Sequence, residues 1–279
     1  MEVIRRIADL RATLAARADV ALVPTMGNLH EGHLSLARLA RRRGGPVVAS
    51  IFVNPLQFAP HEDFAGYPRT FERDCELLRG ADCDIVFAPA VEEMFPETQE
   101  CTVHPPAALA DILEGAARPG FFTGVCTIVL KLFHIVQPRV AVFGRKDYQQ
   151  LLVIGNMVRQ LALPIEIVPA PTVRDANGLA LSSRNAYLTE SQRAEAAHLH
   201  GGLCRIAAAV RAGRTDFPTL ETEAMAGLAA RGWQTDYVSI RTQAALQAPT
   251  RTKSAPAESL IVLAAARLGA ARLIDNVEL

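Results

Sequence analysis

Short, largely apolar runs at residues 20–23, 47–53, 84–87, 140–143 and 165–168 recur with helix-length stretches between them, and this alternation constrains the fold more than any other feature. Strands joined through helices return to the same end of a sheet and so run parallel. Several of the runs are continuously apolar rather than alternating, as strands covered by helices on both faces are. Helices are expected near residues 33–43, 70–79, 122–136 and 147–162. The expected fold class is therefore α/β, a doubly wound Rossmann-like parallel sheet. Ligands of such sheets gather at the carboxyl ends of the strands.

The pattern changes after Pro169-Ala170-Pro171. Such a proline pair suits a connection better than a continuing strand. It divides the chain into an expected large domain at 1–171 and a smaller α+β domain at 172–279. In the smaller one, Thr189-Glu190-Ser191-Gln192 has capping-box spacing and opens an alanine-rich helix running toward Arg211. A second helix is expected near 216–230. Alternating Tyr237-Val238-Ser239-Ile240, the apolar run 260–263 and Arg272-Leu273-Ile274-Asp275 predict three short antiparallel strands.

Composition excludes several function classes. Lysine plus arginine and aspartate plus glutamate both number 29, so no bulk field draws the chain toward nucleic acid or an anionic membrane. Arg41-Arg42-Arg43 closes a helical segment, where cations complement the dipole and sit in solvent. Cys75, Cys83, Cys101, Cys126 and Cys204 show no CxxC and no regular spacing, so they read as buried or half-buried free thiols rather than disulfides or a zinc site. The N-terminus lacks the apolar core of a signal peptide. The most apolar stretch, 121–136, is short for a membrane span and carries Lys131 and His134. A soluble, cytoplasmic protein is expected.

Four polar clusters fall at predicted strand ends or in the connection beyond them. Val23-Pro24-Thr25-Met26-Gly27-Asn28-Leu29-His30-Glu31-Gly32-His33 leaves a strand, turns at glycine and enters a helix. Residues three apart at a helix start can share one side, and the exposed amides with the helix dipole form an anion site. His30 and His33 there can donate to phosphate oxygens as charge grows at phosphorus. The alternatives are that the two rings only cap the helix, or bind zinc, for which no third ligand stands out. Ser50-Ile51-Phe52-Val53-Asn54-Pro55-Leu56-Gln57-Phe58 ends an apolar strand with two amides, Asn54 and Gln57, placed to fix a small polar substrate; turn chemistry at Asn-Pro is the alternative. In Gly144-Arg145-Lys146-Asp147-Tyr148-Gln149-Gln150, Lys146 can neutralise phosphate, Asp147 can reach a ribose hydroxyl and Gln150 a hydroxyl or carboxylate. Val173-Arg174-Asp175 is followed by Leu181-Ser182-Ser183-Arg184-Asn185, where two hydroxyls and a guanidinium suit β and γ phosphates, although serine and asparagine are also common in turns.

These segments together with Tyr67-Pro68-Arg69-Thr70 resemble the motifs of the pantothenate synthetase (pantoate–β-alanine ligase) family, within the HxGH nucleotidyltransferase superfamily. The resemblance spans nearly the whole chain and extends to Ala264-Ala265-Ala266-Arg267-Leu268-Gly269 and Arg272-Leu273-Ile274-Asp275-Asn276. It implies that Met26, Gly27, Asn28, Leu29, His30, Glu31, Gly32 and His33 contact ATP, with His33 the proton donor and His30 its partner on the phosphates. It implies further ATP contacts from Gly144, Arg145, Lys146, Asp147, Val173, Leu181, Ser182, Ser183 and Arg184. Gln57 and Gln150 match the glutamines that hold pantoate, Gln57 also lying next to the β-alanine site. Magnesium, a homodimer and a C-terminal lid are implied as well. Two residues depart from the family pattern: Arg145 stands where glutamate is usual, and Phe121 where histidine commonly follows Arg-Pro-Gly.

The activity implied is ATP-dependent condensation of (R)-pantoate with β-alanine, giving pantothenate, AMP and pyrophosphate through a pantoyl adenylate. His30, His33, Lys146 and Arg184 would oppose phosphate charge. An adenylyltransferase acting on a phosphorylated acceptor would use the same histidines but release no AMP, and would need more cations near Asn54 and Gln57 than are present. A nucleotide-binding protein without turnover is the third reading, motivated by Phe121 and Arg145.

Overall fold

The computed structural model describes residues 1–58, 64, 66–249 and 259–279. The chain forms two compact units, one of Met1–Arg145 with Val153–Pro171 and one of Lys146–Leu152 with Thr172–Leu279. The second unit thus takes Lys146–Leu152, a stretch that a single cut near residue 171 leaves in the first.

In the first unit the strands are β1 (Glu2–Ile4), β2 (Ala21–Thr25), β3 (Val47–Ile51), β4 (Ile85–Phe87), β5 (Val140–Gly144) and β6 (Glu166–Ala170). Its helices are α1 (Ile7–Leu14), α2 (Glu31–Arg41), α3 (Phe71–Gly80), the short α4 (Val91–Met94), α5 (Ala107–Ala110) and α6 (Glu114–Ala117), and α7 (Phe121–Val136). Helix α8 (Tyr148–Gln160) begins in the second unit and continues into the first. All paired strands are parallel, in the order β1-β4-β3-β2-β5-β6. After β2 the chain winds outward through β3 and β4, then returns to place β5 on the other side of β2. The direction of winding therefore reverses between β2 and β5, and loops at the carboxyl ends of these strands border the crevice of a doubly wound sheet.

The continuous apolar runs have the predicted cause. Ala21, Val23, Val47, Ala49, Val86, Val140 and Val142 pack with Leu34, Ala37 and Ala40 of α2 and Leu78 of α3 in one buried cluster. Leu22, Val48, Ile85, Phe87 and Ala141, which alternate with them, are also fully buried. Helices α1 and α7 pack together. β1 was not legible in the sequence: it is three residues long with only Ile4 buried, too short to show a period.

The second unit holds a 3-10 turn (Ser183–Tyr187), α9 (Glu190–Arg211), α10 (Phe217–Ala229) and an antiparallel sheet of β7 (Gln234–Thr242), β8 (Leu260–Leu268) and β9 (Ala271–Glu278), in that order. The capping box forms as its spacing requires: Gln192 N–H donates to Thr189 Oγ1 at 3.2 Å and Thr189 N–H to Gln192 Oε1 at 3.0 Å. Leu199, Leu203 and Ile206 of α9, Leu220 and Leu228 of α10, and Trp233 close over the sheet. The strands run longer than the sequence predicts, because Ala264, Ala265 and Ala266, poor strand formers by propensity, pair on both sides inside β8.

All five cysteines are free. Cys75, Cys83 and Cys126 are buried as expected, whereas Cys101 and Cys204 are exposed, which corrects the reading of the set as buried or half-buried. Burial pushes the Cys83 thiol up to about 11 and that of Cys126 up to about 12. Among the described residues no helix is long and apolar enough to cross a membrane.

Candidate active site

The loop from β2 to α2 is built around two left-handed residues, Gly27 at φ +82° and Asn28 at φ +50°. Its backbone is held from outside. Asn28 N–H donates to Asp74 Oδ2 and Leu29 N–H to Asp74 Oδ1, both at 2.8 Å, and Thr70 Oγ1 lies 3.1 Å from the same Oδ1. Asp74 is completely buried in the first turn of α3. A Cβ on Gly27 would stand 3.1 Å from Asp74 Oδ2 and 3.2 Å from Ile51 Cγ2, so glycine lets the loop sit this close to its anchor. Leu29 is buried in the core and its N–H is held by Asp74, so its side chain serves packing. Sequence reasoning missed Asp74, whose one sequence signal is an acid after the Tyr67-Pro68-Arg69-Thr70 motif; the two backbone N–H groups that it holds lie more than 40 residues away.

At the start of α2 the histidines cap the helix reciprocally. Gly32 N–H donates to His30 Nδ1 at 3.1 Å, and His30 N–H donates to His33 Nδ1 at 3.3 Å. The ring centroids are 4.0 Å apart. An Nδ1 that accepts a hydrogen bond carries the lone pair, so each neutral ring holds its proton on Nε2. Capping and phosphate binding were alternatives in the sequence; the structure shows the cap, made through the two Nδ1 atoms. The helix dipole adds positive potential at this end. Glu31, the acid beside the histidines, is exposed and pairs with Arg38, which offsets its charge near an anion.

At the end of β3, Asn54 is 1% exposed, and its side chain is committed inside the protein. Nδ2 donates to Gln57 Oε1 at 2.9 Å and to Gly124 O at 3.2 Å, while Oδ1 accepts Leu56 N–H at 3.2 Å. In this geometry Asn54 orients Gln57 from a buried position. With Oε1 taken by Asn54, the half-buried Gln57 has its amide hydrogens to offer to a substrate oxygen. Arg118 Nη2 donates to Gln57 O at 2.9 Å, and its Cζ lies 3.9 Å from the centre of the Phe121 ring. Phe121 thus supplies a face on which the guanidinium that holds the Gln57 turn rests. Gly124 of α7 completes the fit, because a Cβ there would meet Leu56 O at 2.1 Å.

Within the first unit, residues 26–33, Asn54, Gln57, Gly144 and Arg145 therefore lie at or just beyond the carboxyl ends of β2, β3 and β5. The second unit carries the others. Lys146, in the 3-10 turn Arg145–Asp147, is 16% exposed at its side chain and has Nζ 3.8 Å from Asp147 Oδ1. Gln150 lies half-buried in the first turn of α8. Val173 and Leu181 face each other across a short hairpin, Leu181 N–H donating to Val173 O at 2.9 Å, with Arg174 and Ala180 bridged inside it. Ser182 Oγ accepts Arg184 N–H at 3.2 Å and starts the turn that leaves Arg184 exposed.

For magnesium, implied by resemblance, no group of three or more histidine, cysteine or acidic side chains among the described residues converges as a protein cage. Such a donor set fits a small hard cation carried mainly by nucleotide phosphates. Asp175, whose Oδ1 is buried and has no hydrogen-bond partner in the protein, is the acid of the hairpin suited to it.

The same arrangement of chain is found in known proteins. The family model described as pantoate-beta-alanine ligase matches residues 2–278. The solved pantothenate synthetase from Thermus thermophilus is 45% identical, with a TM-score of 0.93 over 100% of this chain and 99% of that one. The pantoate-beta-alanine ligase from Francisella tularensis, solved in complex with beta-gamma ATP and beta-alanine, is 30% identical, with a TM-score of 0.79 over 100% of this chain and 97% of that one. Agreement over this length, in sequence and in backbone, shows that the chain belongs to the pantoate–β-alanine ligase family.

Proposed function

We propose that this chain condenses (R)-pantoate with β-alanine using ATP, in two steps, and that His30 and His33 stabilise the first. The observation that carries the assignment is the reciprocal histidine cap, which holds two Nε2–H donors at the positive end of α2. The complex of the Francisella relative with an ATP species and β-alanine supports the choice of substrates.

In the first step a pantoate carboxylate oxygen attacks the α-phosphorus of ATP, the new O–P bond forms, and the bond to pyrophosphate breaks. Negative charge grows on the phosphate oxygens, and His30 and His33 donate to it through Nε2. Lys146 and Arg184 oppose the remaining charge. Gln57, turned by Asn54 so that its amide hydrogens face outward, and Gln150 hold pantoate oxygens. Bound to the triphosphate, Mg2+ would spread its charge, with Asp175 available to it. In the second step the free amine of β-alanine attacks the acyl carbon, AMP leaves, and the amine proton passes to solvent. No enzyme nucleophile is needed, since adenylation makes the leaving group, and positioning and electrostatics supply the acceleration. A cytoplasmic homodimer, and a lid role for residues 172–279 that protects the adenylate from water, belong to the same proposal and rest on the resemblance.

The test is the protein with MgATP, pantoate and β-alanine, read as pantothenate and AMP, and separately pantoate-dependent exchange of pyrophosphate into ATP without β-alanine. Folded protein that does neither would overturn the assignment. His33→Asn separates capping from catalysis, because the asparagine oxygen can still accept His30 N–H while nothing remains at the Nε2 position. Exchange is expected to fall by about 10²–10³ with the fold retained; near-normal exchange would leave His33 a cap and no more.

A further inference from the structure

Lys146 and the 173–184 hairpin are distant in sequence, yet a single dipeptide of β9 holds both. Asp275 is 5% exposed and takes the Arg174 guanidinium on both oxygens, Nη1 to Oδ2 at 2.6 Å and Nη2 to Oδ1 at 2.8 Å. Arg174 Nη1 also donates to Gly178 O at 3.0 Å, across the hairpin. Asn276 N–H donates to Asp275 Oδ1 at 2.8 Å, so the Asp275 carboxylate is fixed against the backbone of Asn276. On the other side, Asn276 Nδ2 donates to Lys146 O at 2.9 Å, and Asn276 is 7% exposed. His200 Nδ1 lies 3.6 Å from Asp275 Oδ2. Burial, and then the charge of Arg174, lower the pKa of this imidazole against the pull of Asp275, which leaves Arg174 as the cation that answers the carboxylate.

We infer that Asp275 and Asn276 are positioning residues for adenylation, tying the Lys146 turn to the Arg174 hairpin so that Lys146 and residues 181–184 meet one triphosphate in a fixed spacing. This rests on the ligase reading and deepens it, because neither residue need touch a substrate. A bidentate pair inside a buried setting gives a defined geometry that a single-point contact does not. The amide of Asn276 suits its place, since a carboxylate there would face the Lys146 carbonyl with no hydrogen to give.

Only the first half-reaction involves the β and γ phosphates, and this separates positioning from general support. Asn276→Ala removes the donor to Lys146 O, and Arg174→Lys keeps the charge but loses the two-pronged contact. Both variants are first checked for folding by the fluorescence of Trp233, the one tryptophan, 3% exposed in the core of the second unit. In either folded variant, pantoate-dependent pyrophosphate exchange is expected to fall by about ten- to a hundredfold, the scale of a small misplacement of reacting groups. Aminolysis of supplied pantoyl adenylate by β-alanine should change less than about twofold, since the triphosphate has already left. Unchanged exchange, or equal loss in both half-reactions, overturns the inference. If the unaltered protein shows no exchange, the ligase reading fails and this inference with it; if it exchanges normally and the variants match it, the inference alone fails.

Discussion

Asp74→Asn is the sharpest test of how the histidine loop is held. The carboxylate accepts two consecutive backbone N–H groups at 2.8 Å from a fully buried position. Asparagine has one oxygen, so it can accept from Asn28 or from Leu29, and its NH2 must then face the other N–H. Hydrogen bonds to a charged group contribute about 1.5–3 kcal/mol each, and a buried donor left without a partner costs about 1–3 kcal/mol. With one such bond lost and the other made neutral, the first unit should lose roughly 3 kcal/mol of stability. The loop also loses the contact that keeps Asn28 at positive φ, and His30 and His33 begin two residues on. A shift near 1 Å at such groups costs about a hundredfold in rate. Asp84→Asn serves as the matched control. Asp84 Oδ2 likewise accepts a backbone N–H, from Val47 at 2.8 Å, but at the amino end of β3, away from the site. Urea unfolding followed by far-UV circular dichroism and pyrophosphate exchange would be measured on both. Loss of stability in both variants with loss of exchange only in Asp74→Asn is the expected result. Exchange within about twofold of the unaltered protein in Asp74→Asn, or an equal deficit in Asp84→Asn, would refute the reasoning.

Gly124→Ala drives a Cβ to 2.1 Å from Leu56 O and must displace the turn that carries Gln57. The KM for pantoate is expected to rise about tenfold, the effect of one misdirected hydrogen bond, with the KM for ATP little changed; steady-state kinetics with each substrate varied decides it. Glu195 accepts Arg231 Nε and Nη2, both at 2.7 Å, and Trp233 Nε1 at 3.0 Å, and the Arg231 contact foremost holds its carboxyl down at about 2. A carboxyl whose folded pKa lies below its ordinary 4.5 adds stability that is complete above about pH 4.5 and lost as pH falls toward 2. Glu195→Gln should flatten the pH dependence of the urea midpoint in that window, read by Trp233 fluorescence; a profile as steep as the parent's would count against the assignment.

What the sequence by itself determined is what short-range physics writes. Apolar runs marked five of the six parallel strands, since burial on both faces leaves a continuous signal. The Thr189–Gln192 cap and the entry into α2 at His30 depend on groups three residues apart, so their spacing is enough. The turns that follow β2 and β5 were legible for the same reason, as local strand-turn-helix motifs. Tertiary structure alone decided which groups those loops lean on. Asp74 reaches Asn28 across 46 residues and Asn276 reaches Lys146 across 130, and no local periodicity encodes either contact. Asn54 looked the same as Gln57 on the page, a polar residue after an apolar strand, until α7 closed over it and took its amide. The reciprocal cap shows the division in one place: the sequence put two histidines at a helix start, and the folded backbone decided which nitrogen of each ring took up the capping bonds.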